Sequence, residues 1–245
     1  MVKVYVLNNG YFVADRSVFV WGKDWGVEYK AASKPMLILT EKEKILVDPG
    51  ADEKPSDATH PPFVSPREKI EAQLGLYKLK PSDITLVVNS HLHWNHSHNN
   101  RLFKNAKIVV QRDELRYSFS PDPFWTYGPG ESPSVRSTPY SKASVNVDVD
   151  WQPIKGDYDV TDNVRLLSTP GHTVGHMSMV ITQNERNIVY SADVFPLHDN
   201  FDEKRLPGQF VDAFAAWESM EKLWSISNSL YIFGHDREQS PLKLQ

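Results

Sequence analysis

Four short apolar segments of the chain each stop at a side chain that can bind a metal ion. The segment ITLVVNS runs into His91, VRLLSTPG into His172, NIVYSA into Asp193 and LYIFG into His235. Short runs rich in Val, Ile and Leu are typical of strands buried in a sheet. Loops beyond the carboxyl ends of such strands converge, and binding sites form where they meet. The pattern therefore predicts a sheet protein in which four strand ends share one site.

Further apolar runs complete a predicted set of nine strands, with helices between some of them. The strands are expected at residues 2–7, 36–40, 44–47, 84–89, 107–110, 164–168, 178–182, 187–191 and 230–233.

Two helices have recognisable start signals. In SPREKIEAQLGL, Ser65 and Glu68 have the spacing of a capping box, with Pro66 at the first helical position. In VDAFAAWESMEKLWSI, Asp212 is the expected N-cap. An aromatic and apolar stripe follows at helical spacing, and it is expected to pack against a sheet, with cofactor binding as the alternative. The stripe consists of Phe214, Trp217, Met220 and Trp224.

Two aromatic segments do not fit this pattern. Residues 8–34 and 118–151 are loop-like and rich in aromatic side chains, and the second also contains five prolines. A long loop inside a compact domain is usually a lid or a contact surface. For the insert at about 118–151 the alternatives are therefore a lid, an interface in a homodimer, or a surface excursion packed by its own aromatic residues.

Charge and composition narrow the expected partners. The formal net charge is −4, so nothing indicates a phosphate-binding face, and no nucleic acid partner is expected. Cysteine is absent, which excludes disulfides and thiolate ligands and suits a reducing compartment. No apolar run is long enough for a signal or a membrane span. We therefore expect a cytoplasmic protein that acts on a small molecule and does not enter a membrane.

The segment HLHWNH concentrates the site chemistry. Neutral imidazoles bind zinc and similar divalent metals, and a carboxylate completes the charge balance. In this segment His91 and His93 can point to one side, while His96, after a bend, can reach a second centre. A carboxylate between two ions can bridge them. Two such ions lower the pKa of a water molecule and polarise a carbonyl or phosphoryl oxygen.

The motifs HLHWNH, TPGHTVGH, YSAD and FGHD, in this order, resemble the signature of the metallo-β-lactamase superfamily. Within it the chain is most similar to the N-acyl homoserine lactone lactonases. The similarity runs from Met36 to the end and includes the segments KGDYDV and IFGHDREQ. The resemblance implies an α/β fold, a four-layer αββα sandwich of two mixed β-sheets with outer helices. It also implies a single hydrolase domain over residues 1–245.

The same resemblance implies a centre for one or two divalent ions. Zn²⁺ is the expected metal, with Fe or Mn as alternatives. By position, the ligands are His91, His93 and His172 for one ion, and His96, His235 and Asn95 for the other, with Asp193 bridging them. Asp48 matches an acidic position that orients ligands in this family, although it can also be a turn residue before Pro49.

Two positions depart from the lactonase pattern. The family has an aspartate where Asn95 stands, and its lactonases have a tyrosine where Pro196 stands, close to the substrate. Proline cannot exchange a proton or donate a hydrogen bond from its side chain. His198, two residues further on, is the candidate proton donor in its place. Catalytic roles are therefore expected for Asp193, Asn95 and His198.

The resulting functional prediction is a metal-dependent hydrolase that attacks a lactone or ester through a metal-bound hydroxide. One alternative is a thioester hydrolase of hydroxyacylglutathione type, for which the basic segment KRLPGQF at 204–210 is a candidate substrate contact. Another is a metal-binding protein with weak or no catalysis, which the changes at Asn95 and Pro196 favour.

Overall fold

Two mixed β-sheets face each other, and apolar side chains fill the space between them. The computed structural model describes residues 2–56, 60–122, 140–145 and 147–239, and the backbone of 243–244. Within these residues the strands are β1 (Lys3–Val6), β2 (Tyr11–Asp15), β3 (Glu28–Ala32), β4 (Met36–Leu39), β5 (Lys44–Val47), β6 (Pro62–Phe63), β7 (Leu86–Val88), β8 (Lys107–Gln111), β9 (Asp150–Ile154), β10 (Tyr158–Thr161), β11 (Val164–Ser168), β12 (Met177–Gln183), β13 (Arg186–Ala192), β14 (Ser229–Phe233) and β15 (Lys243–Leu244).

The first sheet has the strand order β15-β1-β4-β5-β7-β8-β9, and the second has the order β10-β11-β12-β13-β14. Both are mixed. In the first sheet β5, β7, β8 and β9 are parallel neighbours, and in the second only β13 and β14 are parallel. The carboxyl ends of β5 and β7, and of β13 and β14, consequently lie at one edge of their respective sheets. All nine strands predicted from the sequence are present.

Apolar residues from both sheets form the central core. Val4, Ile38 and Val47 of the first sheet belong to the same buried cluster as Met179 and Ile181 of the second. The alternate residues of these strands face outward, where helices cover them. The two sheets therefore form the inner layers of the molecule.

The helices supply the outer layers. They are α1 (Ile70–Gly75), α2 (Trp94–Ser97), α3 (Arg112–Phe119), α4 (Lys142–Val145), α5 (His198–Asp202) and α6 (Ala213–Trp224). Leu74 of α1 packs with Leu46 on the outer face of the first sheet. Met220 and Leu223 of α6 pack with Val189 on the outer face of the second. This arrangement confirms the αββα sandwich.

Both predicted helices are present, but each differs from its prediction. The first begins at Ile70, because Ser65 and Glu68 close a separate turn in which the Glu68 carboxylate accepts the Ser65 N–H at 2.8 Å. Asp212 caps α6 as predicted, accepting the N–H groups of Phe214 and Ala215. The predicted buried stripe was partly wrong, since Phe214 is 85% exposed and Trp217 is 39% exposed.

Residues 8–34, predicted to be loop-like, instead contain β2 and β3. In a third, small sheet, β2 lies in the centre and pairs with β3 on one side and β6 on the other. The insert predicted at about 118–151 lies largely on residues 123–139 and 146, which are outside the described part of the chain. Its lid and interface alternatives therefore stay predictions. Among the described residues, no helix is both long and apolar enough to cross a membrane.

Candidate metal centre

The four strand ends singled out in the sequence meet at one buried site. His91 follows β7, His172 follows β11, Asp193 directly follows β13, and His235 follows β14. All four side chains are buried. Ala192, which precedes Asp193, has a φ of 45°, a left-handed conformation that non-glycine residues rarely adopt. Such strain persists where the surrounding structure enforces it, and here it turns the chain so that Asp193 enters the site.

Asp193 lies between two groups of histidines. Its Oδ2 is 3.3 Å from His172 Nε2 and 3.9 Å from His91 Nε2. Its Oδ1 is 3.3 Å from His235 Nε2 and 3.5 Å from His96 Nε2. The two carboxylate oxygens thus face different pairs of imidazoles, which is the placement that a bridging ligand requires.

We call His91, His93 and His172 the first half-site. Their ring nitrogens come close enough together to hold one ion, all lying within 4.8 Å of one another. Nδ1 of His93 is 3.1 Å from Nε2 of His172. Nε2 of His91 is buried and has no hydrogen-bond partner among the described residues. A buried polar atom of this kind normally has a partner, and a metal ion held by these three rings would supply one.

We call His96, His235 and Asn95 the second half-site. Nε2 of His96 is 3.2 Å from Nε2 of His235, and Nδ2 of Asn95 is 3.3 Å from the same atom. A half-turn of the Asn95 amide brings its carbonyl oxygen to that position, because the two ends of the group have the same shape. Asn95 therefore lies beside His235, in the position for which the resemblance to the lactonases implies a ligand.

In four of the histidines, Nδ1, the ring nitrogen that points away from Asp193, contacts a polar group outside the cluster. Nδ1 of His91 contacts Ser90 Oγ at 3.0 Å, and Nδ1 of His96 contacts Asp48 Oδ2 at 2.9 Å. Nδ1 of His172 is 2.8 Å from the Gln209 carbonyl oxygen, and Nδ1 of His235 is 2.8 Å from the Ala32 carbonyl oxygen. These contacts leave Nε2 of each ring facing Asp193. Partners of this type fix the ring orientation and tautomer of histidines that bind metals.

Asp48 does not merely close a turn before Pro49, because its carboxylate makes hydrogen bonds within the site. Its Oδ2 accepts hydrogen bonds from Ser90 Oγ at 2.6 Å and Tyr190 OH at 2.9 Å, in addition to its contact with His96. Its Oδ1 accepts the N–H of Ser90 at 2.7 Å. The carboxylate thereby connects the His91 loop, the His96 ring and strand β13.

Burial and neighbouring charges together set the pKa values of the site residues. Burial lowers the pKa of His91, His93 and His172, so these imidazoles are neutral and able to bind a metal. Burial also lowers the pKa of His96, but the carboxylates of Asp193 and Asp48 outweigh it and raise that pKa. Although burial opposes ionisation of Asp193, the surrounding histidines hold its pKa well below the usual value. The site therefore contains an ionised carboxylate among imidazoles.

The other histidines have different surroundings. Nδ1 of His176 lies 3.1 Å from the Thr169 carbonyl, and its Nε2 accepts the N–H of Asp193 at 3.1 Å. His176 thus supports the loop of Asp193. His98 contacts Ser144 Oγ at 2.9 Å, and His60 is exposed beside β6.

His198, the candidate proton donor, lies between two carboxylates. Its Nδ1 is 2.6 Å from Asp236 Oδ2, and its Nε2 is 3.0 Å from Asp199 Oδ1. Burial lowers the pKa of His198, but its hydrogen bond with Asp236 outweighs burial and raises it. The His198 side chain is 42% exposed, and Asp236 immediately follows His235 of the second half-site. Its role in proton transfer stays a prediction.

Aromatic residues border the second half-site. The rings of Phe12 and Phe19 lie 5.3 and 5.6 Å from the ring of His235. Both belong to a buried cluster with Trp94, which precedes Asn95. The aromatic segment at residues 8–34 therefore forms one wall of the site.

A family comparison decides which kind of protein has this site. The model of the metallo-beta-lactamase superfamily matches residues 32–235, which include all seven residues of the two half-sites and Asp193. The chain belongs to the metallo-beta-lactamase superfamily. Apart from Asp236, the last residue of FGHD, the four motifs that resemble the superfamily signature lie within this range, on the segments that carry the clustered histidines.

Superfamily members similar to this chain include curated lactonases. An N-acyl homoserine lactonase of Bacillus cereus is 29% identical over 221 residues, which cover 83% of this chain and 80% of that protein. The N-acyl homoserine lactonase AttM of Azorhizobium caulinodans is 27% identical over 260 residues, covering 98% and 95% of the two chains. Both alignments extend over most of each protein.

Solved structures of lactonases have a fold similar to that of this chain. A variant of AiiA from B. thuringiensis, with N-decanoyl-L-homoserine bound at its active site, superposes with a TM-score of 0.80. The two chains are 25% identical, and the match covers 97% of this chain and 94% of the other. An N-acyl homoserine lactone hydrolase with N-hexanoyl-L-homoserine at its catalytic metal centre has a TM-score of 0.79, with the same identity and coverage.

The sequence pattern did not reveal every residue that shapes the centre. Ser90, Gln209 and Ala32 contact the rings of the clustered histidines, and the last two do so through their backbone carbonyls, for which residue type carries no signal. Glu114 was also missed. It lies in the charged segment QRDELR, which is typical of a solvated helix start, yet its side chain is fully buried.

Proposed function

We propose that this protein is a metal-dependent hydrolase that opens lactones through a centre held by the two half-sites and Asp193. The observation that carries the proposal is the position of Asp193, whose two oxygens face His172 and His235 at the same distance of 3.3 Å. The similar lactonases supply the substrate class.

The donors fit a pair of divalent ions. Imidazole nitrogens with a bridging carboxylate suit zinc, and they also accommodate iron or manganese. The buried Nε2 of His91 and the low pKa of Asp193 both favour a cation in this position. When bound, such ions supply Lewis acid activation of a carbonyl group and of a water molecule.

The chain's own residues determine how a substrate is handled. Asp193 and the neutral imidazoles hold the centre, and Phe12 and Phe19 exclude water from one side of it. Asn95 offers a neutral amide where the lactonases have a carboxylate, so we propose that the second half-site binds its ion more weakly than the first. His198 is the proposed proton donor to the leaving oxygen, since Pro196 has no donor.

The thioester alternative receives less support. It needs free positive charge in the segment at 204–210, but Arg205 Nε pairs with Glu203 Oε2 at 2.8 Å. Lys204 lies over the ring of Trp224, with its Nζ 5.8 Å from the ring centroid. These contacts direct both cations away from a shared anion site. Weak catalysis remains a specific alternative because of Asn95.

We further propose a small-molecule substrate and a cytoplasmic location, which the absence of cysteine supports. A homodimer stays a prediction, and the strongly exposed rings of Trp25 and Phe214 offer apolar surface for it. Light scattering on the purified chain measures the oligomeric state directly.

A substrate panel tests the proposed function. The protein, loaded with zinc, would be assayed against N-acyl homoserine lactones, a simple aryl ester and an acylglutathione thioester. We expect the highest kcat/KM with a lactone. A higher kcat/KM with the thioester would favour the alternative, and no turnover of any of the three would favour a binding protein.

A further inference from the structure

The carboxylate of Glu114 connects the two loops that carry the first half-site. Its Oε1 accepts the backbone N–H of Leu92 at 3.0 Å, and its Oε2 accepts the backbone N–H of Gly175 at 3.0 Å. Leu92 lies between His91 and His93, and Gly175 lies three residues after His172. One side chain thus holds loops from both sheets.

This connection is buried and tightly packed. Glu114 is 0% exposed, and Tyr140 donates its hydroxyl to Oε1 at 3.0 Å. A Cβ atom added at Gly175 would come within 2.5 Å of the Glu114 backbone N and Cβ. Only glycine therefore allows this loop to lie so close to Glu114. The ring of Tyr140 also contacts His93, with ring centroids 4.8 Å apart.

The cost of burying a carboxylate argues for a role beyond filling space. A buried charge is unfavourable unless hydrogen bonds compensate it, and a hydrophobic side chain of similar size could pack there without that cost. What only a carboxylate offers is two acceptor oxygens, one for each loop, with no donor of its own. The first half-site needs this link, because His91 and His93 come from one loop and His172 comes from the other.

We infer that Glu114 is a positioning residue for the first half-site, which sets the distance between the His91–His93 loop and the His172 loop. The inference deepens the proposed function and rests on it. Glu114 does not contact substrate or metal. It acts through the peptide groups of Leu92 and Gly175, and the second half-site, whose rings are held by Asp48 and Ala32, does not depend on it.

The conservative variant Glu114→Gln tests this inference. Glutamine keeps the size of the side chain but turns one acceptor into a donor, so either the Leu92 or the Gly175 link is lost. The variant would be made in two backgrounds. His235→Ala leaves the first half-site intact, and His172→Ala leaves the second. Zinc affinity of the metal-free chains is then measured by competition with a chelator, which is a readout independent of hydrolysis.

We expect Glu114→Gln to weaken zinc binding about 10- to 100-fold in the His235→Ala background, the range found for residues that orient metal ligands. In the His172→Ala background it should leave affinity unchanged. Tyr140→Phe, which keeps both peptide links, should cause a smaller loss than Glu114→Gln. Equal losses in both backgrounds, or no loss in either, would overturn the inference. Failure of lactone hydrolysis alone would count only against the proposed function.

A measurement on the wild-type chain covers the case in which Glu114→Gln does not fold. Amide hydrogen exchange would be followed by NMR in metal-free protein. We expect the N–H groups of Leu92 and Gly175 to be protected even without zinc, because Glu114 already holds them. Exchange of both groups as fast as in the exposed loops, while β7 and β12 stay protected, would contradict the inference.

Discussion

The amide nitrogen of Asn95 lies 3.3 Å from Nε2 of His235. This contact places an uncharged side chain at the position from which the lactonase pattern expects a carboxylate to bind the second ion. Asp193 is then the only carboxylate shared by the two half-sites among the described residues. The chain would thus offer a pair of ions less negative charge than that pattern does.

Asn95→Asp should strengthen the second half-site. A charged acceptor contributes about 1 kcal/mol more than a neutral one, so we expect zinc affinity there to rise roughly 5- to 10-fold. Lactone hydrolysis should rise with it. Zinc content after dialysis, together with kcat/KM for a lactone, checks this. The contrary outcome is that the wild-type protein retains two ions and that Asn95→Asp loses activity. Asparagine at this position would then suit a different substrate.

His93→Ala and His172→Ala should each empty the first half-site. Each removes one of three imidazoles, and we expect zinc content to fall and hydrolysis to be lost while the circular dichroism spectrum stays native. His60→Ala is the matched control, since His60 is exposed beside β6 and should change neither quantity. Full zinc content in both variants would exclude these residues as ligands.

Asp48→Asn should weaken the second half-site without removing a ligand. Asparagine would present a donor either to the Ser90 N–H at Oδ1 or to the three groups at Oδ2, and it also removes the negative charge, so the support of the His96 ring is weakened. We expect a roughly 10- to 100-fold loss of affinity for the second ion. Tyr190→Phe removes only one of the donors and should have a smaller effect. An unchanged zinc affinity in Asp48→Asn would show that His96 is oriented by other contacts.

Lys34 makes stability depend on pH in the alkaline range. Burial lowers its pKa to about 8, although the nearby Asp236 opposes the shift. Between pH 8 and 10.5 the folded state has released the proton that the unfolded state still binds, so stability rises with pH in this window. Below pH 8 the folded chain carries a buried charge.

Lys34→Met should therefore stabilise the protein at pH 7, by up to about 3 kcal/mol since each pKa unit corresponds to about 1.4 kcal/mol. The loss of the hydrogen bond from Lys34 Nζ to Gln239 Oε1 reduces this gain. Urea unfolding of both proteins between pH 7 and 10.5 measures the difference in their free energies of unfolding. A stability difference that stays constant over this range would contradict the predicted pKa.

The sequence predicted the part of the site that depends on local pattern. His91, His172, Asp193 and His235 each follow an apolar run, and such runs are recognisable because buried strands need Val, Ile and Leu. The bridging position of Asp193 was implied by family resemblance rather than by spacing. The distances from Asp193 to the histidines could be obtained only from the structure, because they depend on how the two sheets pack.

Two of the incorrect predictions have local causes, whereas Glu114 was missed because its contacts are long-range. Ser65, Pro66 and Glu68 have helix-start spacing, but the contact between Ser65 and Glu68 closes a turn before the helix. In α6, Phe214 has helical spacing relative to the buried Met220 but lies in the first turn of the helix, where its side chain is exposed. Glu114 could not be recognised at all, since its partners are 22 and 61 residues away along the chain.

We propose that two ions, bridged by Asp193, are needed to open a lactone. The most direct test is to titrate metal-free protein with zinc and to follow both bound zinc and the hydrolysis of an N-acyl homoserine lactone. We predict little activity with the first equivalent, a rise as the weaker second half-site fills, and a plateau at two ions per chain. Full activity at one equivalent, or in the presence of excess chelator, would contradict the claim.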